Sequence, residues 1–149
     1  MEKKRILIVD DEVGSARLLK SNLEQTERYE ARVETWAEDA VAIAREFKPH
    51  LMLLDILMPR MPGGDVAAAF KADPGLKATA IVFLTAAVRR DQVKDHEGII
   101  CDYPCIAKPA SVDEIIKCIE ANLPNQGASI HLPRPTLVTE ETINKGKQP

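Results

Sequence analysis

Leu51-Met52-Leu53-Leu54-Asp55 is the stretch on which the fold turns: four apolar residues run straight into a carboxylate. Three other stretches are built the same way. Ile6-Leu7-Ile8-Val9 meets Asp10-Asp11, Ala80-Ile81-Val82-Phe83-Leu84 meets Thr85, and a short run around Cys105-Ile106 leads to Lys108. Short apolar runs of this kind, separated by helical segments, read as strands of a parallel sheet buried on both faces. In open sheets of that type the ligand crevice lies outside the carboxyl ends of the strands. Residues scattered over a hundred positions are therefore expected to meet at one edge.

The segments between the runs fit this plan. The first strand covers about Arg5 to Val9. A helix from about Val13 to Thr26 follows, with Ala16, Leu19 and Leu23 spaced for one buried face and Leu18 beside it. Between about Glu30 and Thr35, Ala31, Val33 and Thr35 alternate with Arg32 and Glu34, which suits a strand near the sheet edge. A second helix, about Glu38 to Phe47, sets Ala40, Ile43, Ala44 and Phe47 on one side and is stopped by Pro49. After the Leu51 run comes the loop Met58-Pro59-Arg60-Met61-Pro62-Gly63-Gly64, then a helix from about Asp65 to Ala72 and a turn at Asp73-Pro74-Gly75. A fourth helix is expected from about Arg89 to Glu97, with Val88 and Val93 as its apolar anchors. The fifth strand lies near Pro104 to Ala107. The last helix runs from Ser111 to Leu123, with Ser111 as cap and Glu114 completing a capping box. The expected fold is α/β and doubly wound (flavodoxin-like): a five-stranded parallel sheet flanked by five helices.

One core-sized domain is expected over residues 4–123, since 149 residues suit a single core. Beyond Leu123 the periodicity fades and prolines recur at Pro124, Pro133, Pro135 and Pro149, so residues 124–149 read as a flexible or loosely docked extension. Thr136 to Thr139 is its one short candidate strand. A net charge of −3 gives no basic footprint, so no nucleic-acid partner is expected. No apolar stretch approaches the roughly 20 residues that span a bilayer, and the first apolar run stops at Asp10, too short for a secretion signal. Cys101, Cys105 and Cys118 form no even framework and read as free thiols of a reducing cytoplasm. Cys101, Cys105 and His96 match no zinc spacing well.

The strand ends carry the chemistry. Asp10, Asp11 and Asp55 would concentrate negative charge in one pocket, and like charges raise one another's pKa. A divalent cation resolves that conflict, and all-oxygen ligation with retained waters suits Mg²⁺. One carboxylate can then attack phosphorus, while a hydroxyl (Thr85) and an ammonium (Lys108) stabilise the phosphoryl oxygens. Singly, each residue has a plain structural reading. Asp-Asp can favour a helix N-terminus, Thr85 can cap a helix, and Lys-Pro is common in loops. The four successive strand ends together, ahead of a Met-Pro-x-Met-x-Gly loop, argue for the site.

These residues resemble the receiver domain of response regulators, the phosphoacceptors of two-component signalling. The likeness rests on Ile6 to Glu12, Leu53 to Gly64, Phe83-Leu84-Thr85-Ala86 and Lys108-Pro109, and spans about residues 4–123. It implies phosphorylation of Asp55, with Mg²⁺ held by Asp10, Asp11, Asp55 and the backbone carbonyl of Leu57. Thr85 would be the switch hydroxyl and Lys108 the salt-bridge partner of the phosphoryl group. The donor would be a histidine kinase or a histidine phosphotransfer protein. The chain departs from the family at Cys105, where receivers commonly carry Tyr or Phe; Tyr103 stands two residues earlier. The Asp91–Tyr103 stretch is also unusual, so the usual output face is expected to be reshaped. Leu57 and Ala87 occupy positions where the family varies its dephosphorylation rate, and an apolar Leu57 implies a long-lived phosphoryl state.

The output implied is a stand-alone receiver that signals by phosphorylation-switched protein contacts to an unknown downstream protein, as a monomer or a phosphorylation-dependent dimer, in the cytoplasm. It would catalyse only its own phosphorylation and dephosphorylation. Two alternatives remain. One is a receiver fragment of a larger hybrid kinase or regulator, in which residues 124–149 are a linker. The other is a metal-dependent phosphohydrolase with Asp55 as transient nucleophile. Such enzymes need an acid/base carboxylate two residues after the nucleophile, where this chain has Leu57.

Overall fold

The computed structural model describes residues 2–86, the backbone of 99–100, and 103–123. Its five parallel strands are β1 (Lys4–Val9), β2 (Tyr29–Glu34), β3 (Leu51–Leu54), β4 (Ala80–Thr85) and β6 (Tyr103–Ala107). A two-residue strand, β5 (Ile99–Ile100), lies antiparallel on the outer side of β6, giving the order β2-β1-β3-β4-β6-β5. That antiparallel strand was not expected from the sequence. The helices are α1 (Val13–Gln25), α2 (Ala40–Phe47, entered through a 3-10 turn at Ala37–Asp39), α3 (Gly63–Ala72) and α4 (Val112–Asn122). The helix expected between Arg89 and Glu97 lies outside the described residues, as do Ala87, His96, Cys101 and residues 124–149.

Side-chain alternation explains why the strands are apolar throughout. Leu7, Val9, Met52, Leu54, Ile81, Phe83 and Cys105 point to the face covered by α2 and α3, against Ala40, Ala44, Phe47, Val66 and Phe70. Ile6, Ile8, Leu51, Leu53, Val82 and Leu84 point to the opposite face, against Ala16, Leu19 and Leu23 of α1 and Ile115 and Ile119 of α4. A strand that buries both faces cannot alternate polar and apolar residues. β2 does alternate, and it lies at one edge of the sheet, as its pattern predicts. Leu18, expected beside the buried face of α1, is instead exposed.

Local chemistry sets the helix ends. Lys48 closes α2 in a left-handed conformation, φ 55°, its N–H reaching Ala44 O at 2.7 Å, just before Pro49. The capping box of α4 is formed in both directions: Glu114 N–H donates to Ser111 Oγ at 3.1 Å, and Ser111 N–H donates to Glu114 Oε1 at 2.8 Å. α3 starts without a side-chain cap at Gly63. A Cβ on Gly63 would stand 2.2 Å from the carbonyl oxygen of Asp55 and 2.8 Å from Ile56 Cα, so only glycine fits there. Its N–H donates to Ile56 O at 2.8 Å, folding the β3–α3 loop back on the end of β3.

Candidate functional site at the carboxyl edge of the sheet

The chain winds in opposite directions from β1 and β3, so the crevice falls where those strands end. Asp10 follows β1, with its N–H on Glu34 O at 3.2 Å; Asp55 follows β3, with its N–H on Val9 O at 3.0 Å. Thr85 ends β4 and is fully buried. Lys108 follows β6, with its N–H on Thr85 O at 3.0 Å, and its peptide bond to Pro109 is cis. The residues predicted to converge thus line one open cavity of about 440 Å³ with Asp11, Glu12, Leu57 and Ala86.

Within it, carboxylate oxygens of Asp10, Asp11 and Asp55 lie within 4.8 Å of one another. Asp10 and Asp55 are buried, while Asp11 is exposed. The Lys108 ammonium is 2.6 Å from Asp10 Oδ2 and 3.7 Å from Asp55 Oδ2. Asp55 also accepts the Leu57 N–H at 3.3 Å and a hydrogen bond from the Thr85 hydroxyl. Asp10 Oδ1 accepts the Glu12 N–H at 3.0 Å.

Two of the three carboxylates, Asp10 and Asp55, therefore face the Lys108 ammonium. Burial pushes the Asp55 carboxyl above its ordinary range. The Thr85 hydroxyl, Lys108 and the Leu57 N–H oppose this, and the charge of Asp10 adds to it. Burial alone would lower Lys108, but the hydrogen bond to Asp10 and the charges of Asp10 and Asp55 win and hold it above the usual lysine value. Hard oxygen donors in surplus, partly buried and open to solvent on one side, are what a small divalent cation binds.

The structure also brings in residues that spacing alone did not single out. Trp36, after β2, stacks on Arg60 of the β3–α3 loop, with the guanidinium carbon 3.9 Å from the ring centroid. At the Cys105 position the thiol is buried in the core on the α2/α3 side, and burial pushes it up to about 11. Tyr103 packs edge-on against Phe83 at 5.6 Å between ring centroids, with Lys71 over its face.

A parallel doubly wound sheet with paired acids after β1, an acid after β3, a hydroxyl after β4 and a lysine after β6 defines a receiver. The family model of the response regulator receiver domain matches residues 6–120, and the chain belongs to that family. Among curated relatives, it is 35% identical over 122 residues to the DNA-binding response regulator MtrA of Mycolicibacterium paratuberculosis, covering 81% of this chain and 52% of MtrA. It is 34% identical over 113 residues to the response regulator PleD of Caulobacter vibrioides, covering 75% of this chain and 24% of PleD. The chain thus spans about half the length of MtrA and a quarter of PleD. The chemotaxis protein CheY4 of Vibrio cholerae superposes with a TM-score of 0.69 at 21% identity, covering 82% of this chain and all of CheY4; the likeness is one of fold. Among the described residues no helix is long and apolar enough to cross a membrane.

Proposed function

We propose that the chain accepts a phosphoryl group on Asp55 from a phosphohistidine of a histidine kinase or histidine phosphotransfer protein. The phosphorus–nitrogen bond of the donor breaks, a phosphorus–oxygen bond to the Asp55 carboxylate forms, and the imidazole leaves. The observation that carries this reading is the convergence of Asp10, Asp11 and Asp55 within 4.8 Å of one another, with Lys108 paired to Asp10 and Asp55 and a buried hydroxyl bonded to the acceptor carboxylate. Attack requires Asp55 ionised, and Lys108, Thr85 and the Leu57 N–H each favour that form against burial.

The donor set fits Mg²⁺. Asp10, Asp11, Asp55 and the Leu57 carbonyl would hold it, and it would neutralise charge on the transferring phosphoryl oxygens. Lys108 and Thr85 supply the remaining donors to those oxygens. Leu57 is 66% exposed beside Asp55 and its side chain cannot orient a hydrolytic water. The phosphoryl state is therefore expected to outlast minutes, and a half-life of seconds with Mg²⁺ present would sink that part of the reading.

On this reading residues 4–123 are the receiver unit and 124–149 an extension. The chain catalyses only its own phosphorylation and dephosphorylation. Its output is a phosphorylation-switched protein contact, the surface around Thr85 shifting between two populations. The segment beyond residue 123 carries Arg134, Lys145 and Lys147 against Glu140 and Glu141, too little positive charge to track a phosphate backbone. A cytoplasmic setting suits Cys105 and Cys118, which are free thiols.

The test is intact mass after incubation with Mg²⁺ and a small acyl or amido phosphate. Wild type should gain one phosphoryl group and Asp55→Asn none, with the circular dichroism of the two unchanged. Equal uptake by both proteins would exclude Asp55 as the acceptor.

A further inference from the structure

The Leu57 carbonyl sits on the β3–α3 loop, and that loop is held from outside as well as from below. From below, Gly63 N–H bonds Ile56 O at 2.8 Å and the Met58 side chain is buried. From outside, Arg60 lies over the Trp36 ring at 3.9 Å, and its guanidinium pairs with Glu38 Oε2 at 3.3 Å. Trp36 and Glu38 both belong to the segment that follows β2. That segment is tied to the acid pair in turn: Trp36 N–H bonds Glu34 Oε2 at 3.0 Å, and Glu34 O accepts the Asp10 N–H at 3.2 Å. Contacts therefore run from Asp10 through Glu34 and Trp36 to Arg60, and the loop backbone leads from Arg60 to Leu57, whose N–H bonds Asp55.

Two features separate this stack from ordinary surface packing. Arg60 holds a left-handed backbone, φ 72°, which few residues other than glycine, Asn and Asp adopt readily. Its guanidinium has its face on a ring and its Nη1 paired with a carboxylate. Trp36 is also 49% exposed, so burial does not explain its position, whereas the arginine stack does.

We propose that Trp36, Arg60 and Glu38 form a positioning latch for the divalent-cation site, fixing the loop that carries the Leu57 carbonyl beside Asp10, Asp11 and Asp55. The inference rests on the phosphoacceptor reading above and names residues that touch neither metal nor phosphoryl group. Coupling between the stack and the cation is reciprocal. Loss of the stack weakens Mg²⁺ binding, and Mg²⁺ binding alters the environment of Trp36, the one tryptophan in the chain.

The experiment is calorimetric titration of Mg²⁺ into the full chain at fixed ionic strength, with Trp36 emission followed in parallel. Arg60→Asn removes the cation while tolerating the left-handed backbone. Trp36→Ala removes the ring from the other loop. Each is expected to weaken Mg²⁺ binding roughly three- to fivefold, the worth of one exposed cation–π contact. The double variant should be no weaker than either single one. The Mg²⁺-induced rise in melting temperature should shrink in each variant, beyond any drop in the metal-free melting temperature, a split that general loss of packing would not produce. Arg60→Lys should recover part of the affinity. In wild type, Mg²⁺ should change Trp36 emission; in Arg60→Asn it should not. Wild-type binding with unchanged affinity in both single variants overturns the latch and leaves the phosphoacceptor reading intact. A wild type that takes up no Mg²⁺ overturns both.

Discussion

The cavity at the amino edge of the sheet is lined by basic side chains and that at the carboxyl edge mainly by acids, and the two differ in how their charges are matched. The amino edge has its own cavity, about 380 Å³, lined by Arg45, Lys48, Pro49, His50, Leu76 and Thr79 among others. There several polar groups have found local partners. Arg45 donates twice to Asp73 Oδ2, at 2.7 and 2.9 Å, and Gly75 N–H donates to Asp73 Oδ1 at 2.8 Å. His50 Nδ1 accepts the Arg5 N–H at 3.0 Å, and the Thr79 hydroxyl donates to Pro49 O. At the carboxyl edge two buried acids, Asp10 and Asp55, share Lys108, with the Asp11 carboxylate beside them. The first arrangement closes a structure; the second leaves charge for a ligand to complete. Function is to be sought where the electrostatics do not balance.

The largest expected difference between the edges is steric, and one methyl group probes it. Gly63→Ala drives a Cβ to 2.2 Å from the Asp55 carbonyl, against backbone that cannot swing aside. A stability loss of about 2–3 kcal/mol is expected, together with weakened Mg²⁺ binding, because the end of β3 must move. At the amino edge Gly75→Ala meets only Asp73 Oδ1, at 3.3 Å, on a side chain that can turn. Urea melts of the two variants should separate clearly; similar losses would mean that the β3–α3 loop has more slack than its contacts imply.

Much of this contrast could be read before the fold was known, and the reason is physical. Every strand buried on both faces had to be apolar up to its last residue, so the polar residue that followed each run marked the carboxyl edge unambiguously. The alternation of β2 marked the sheet edge for the same reason, and Ser111 with Glu114 marked the start of α4. Contacts between separate loops leave no such period. Nothing in the spacing of Trp36 and Arg60 announces a stack, and Gly63 looked like one more loop glycine until its approach to Asp55 was seen. The pair Ile99–Ile100 is too short to show any pattern.

Charge comes next in size. Lys108→Met deprives Asp10 and Asp55 of the ammonium they share, while Asp10 stays buried. Since Lys108 is partly exposed, the cost at pH 7 should be about 2 kcal/mol, below that of breaking a fully buried pair. Mg²⁺ should then raise the melting temperature more in the variant than in wild type, as it takes over the role of counter-charge. Arg45→Ala, the matching deletion at the amino edge, should be insensitive to Mg²⁺. A Lys108→Met protein as stable as wild type without Mg²⁺ would show that the acid cluster tolerates its own charge.

Asp55→Asn should act in the opposite sense and stabilise the metal-free protein by a few degrees at pH 7. The folded-state pKa of Asp55 is raised, so the folded protein binds its proton more tightly than the unfolded chain does. The ionised carboxylate therefore costs stability at neutral pH. That cost fades as pH falls through the raised value and is gone below the ordinary 3.8. The advantage of Asp55→Asn should shrink over the same window. An advantage independent of pH would trace to packing and not to charge.

The smallest effect belongs to His50, and its pH slope runs the other way. Burial, then the charges of Arg5 and Lys4, lower its pKa from the ordinary 6.5. Neutral imidazole accepts the Arg5 N–H through Nδ1, and protonation would turn that acceptor into a second donor. The stabilisation is thus complete above pH 6.5 and is lost as pH falls through the lowered folded value. His50→Gln should cost about 0.5–1 kcal/mol at pH 7, less at pH 5, and leave phosphoryl uptake and Mg²⁺ affinity unchanged. Melting temperatures at the two pH values would separate the edges in one experiment: acid relieves the carboxyl edge, where like charges crowd, and strains the amino edge, where neutral His50 accepts a hydrogen bond.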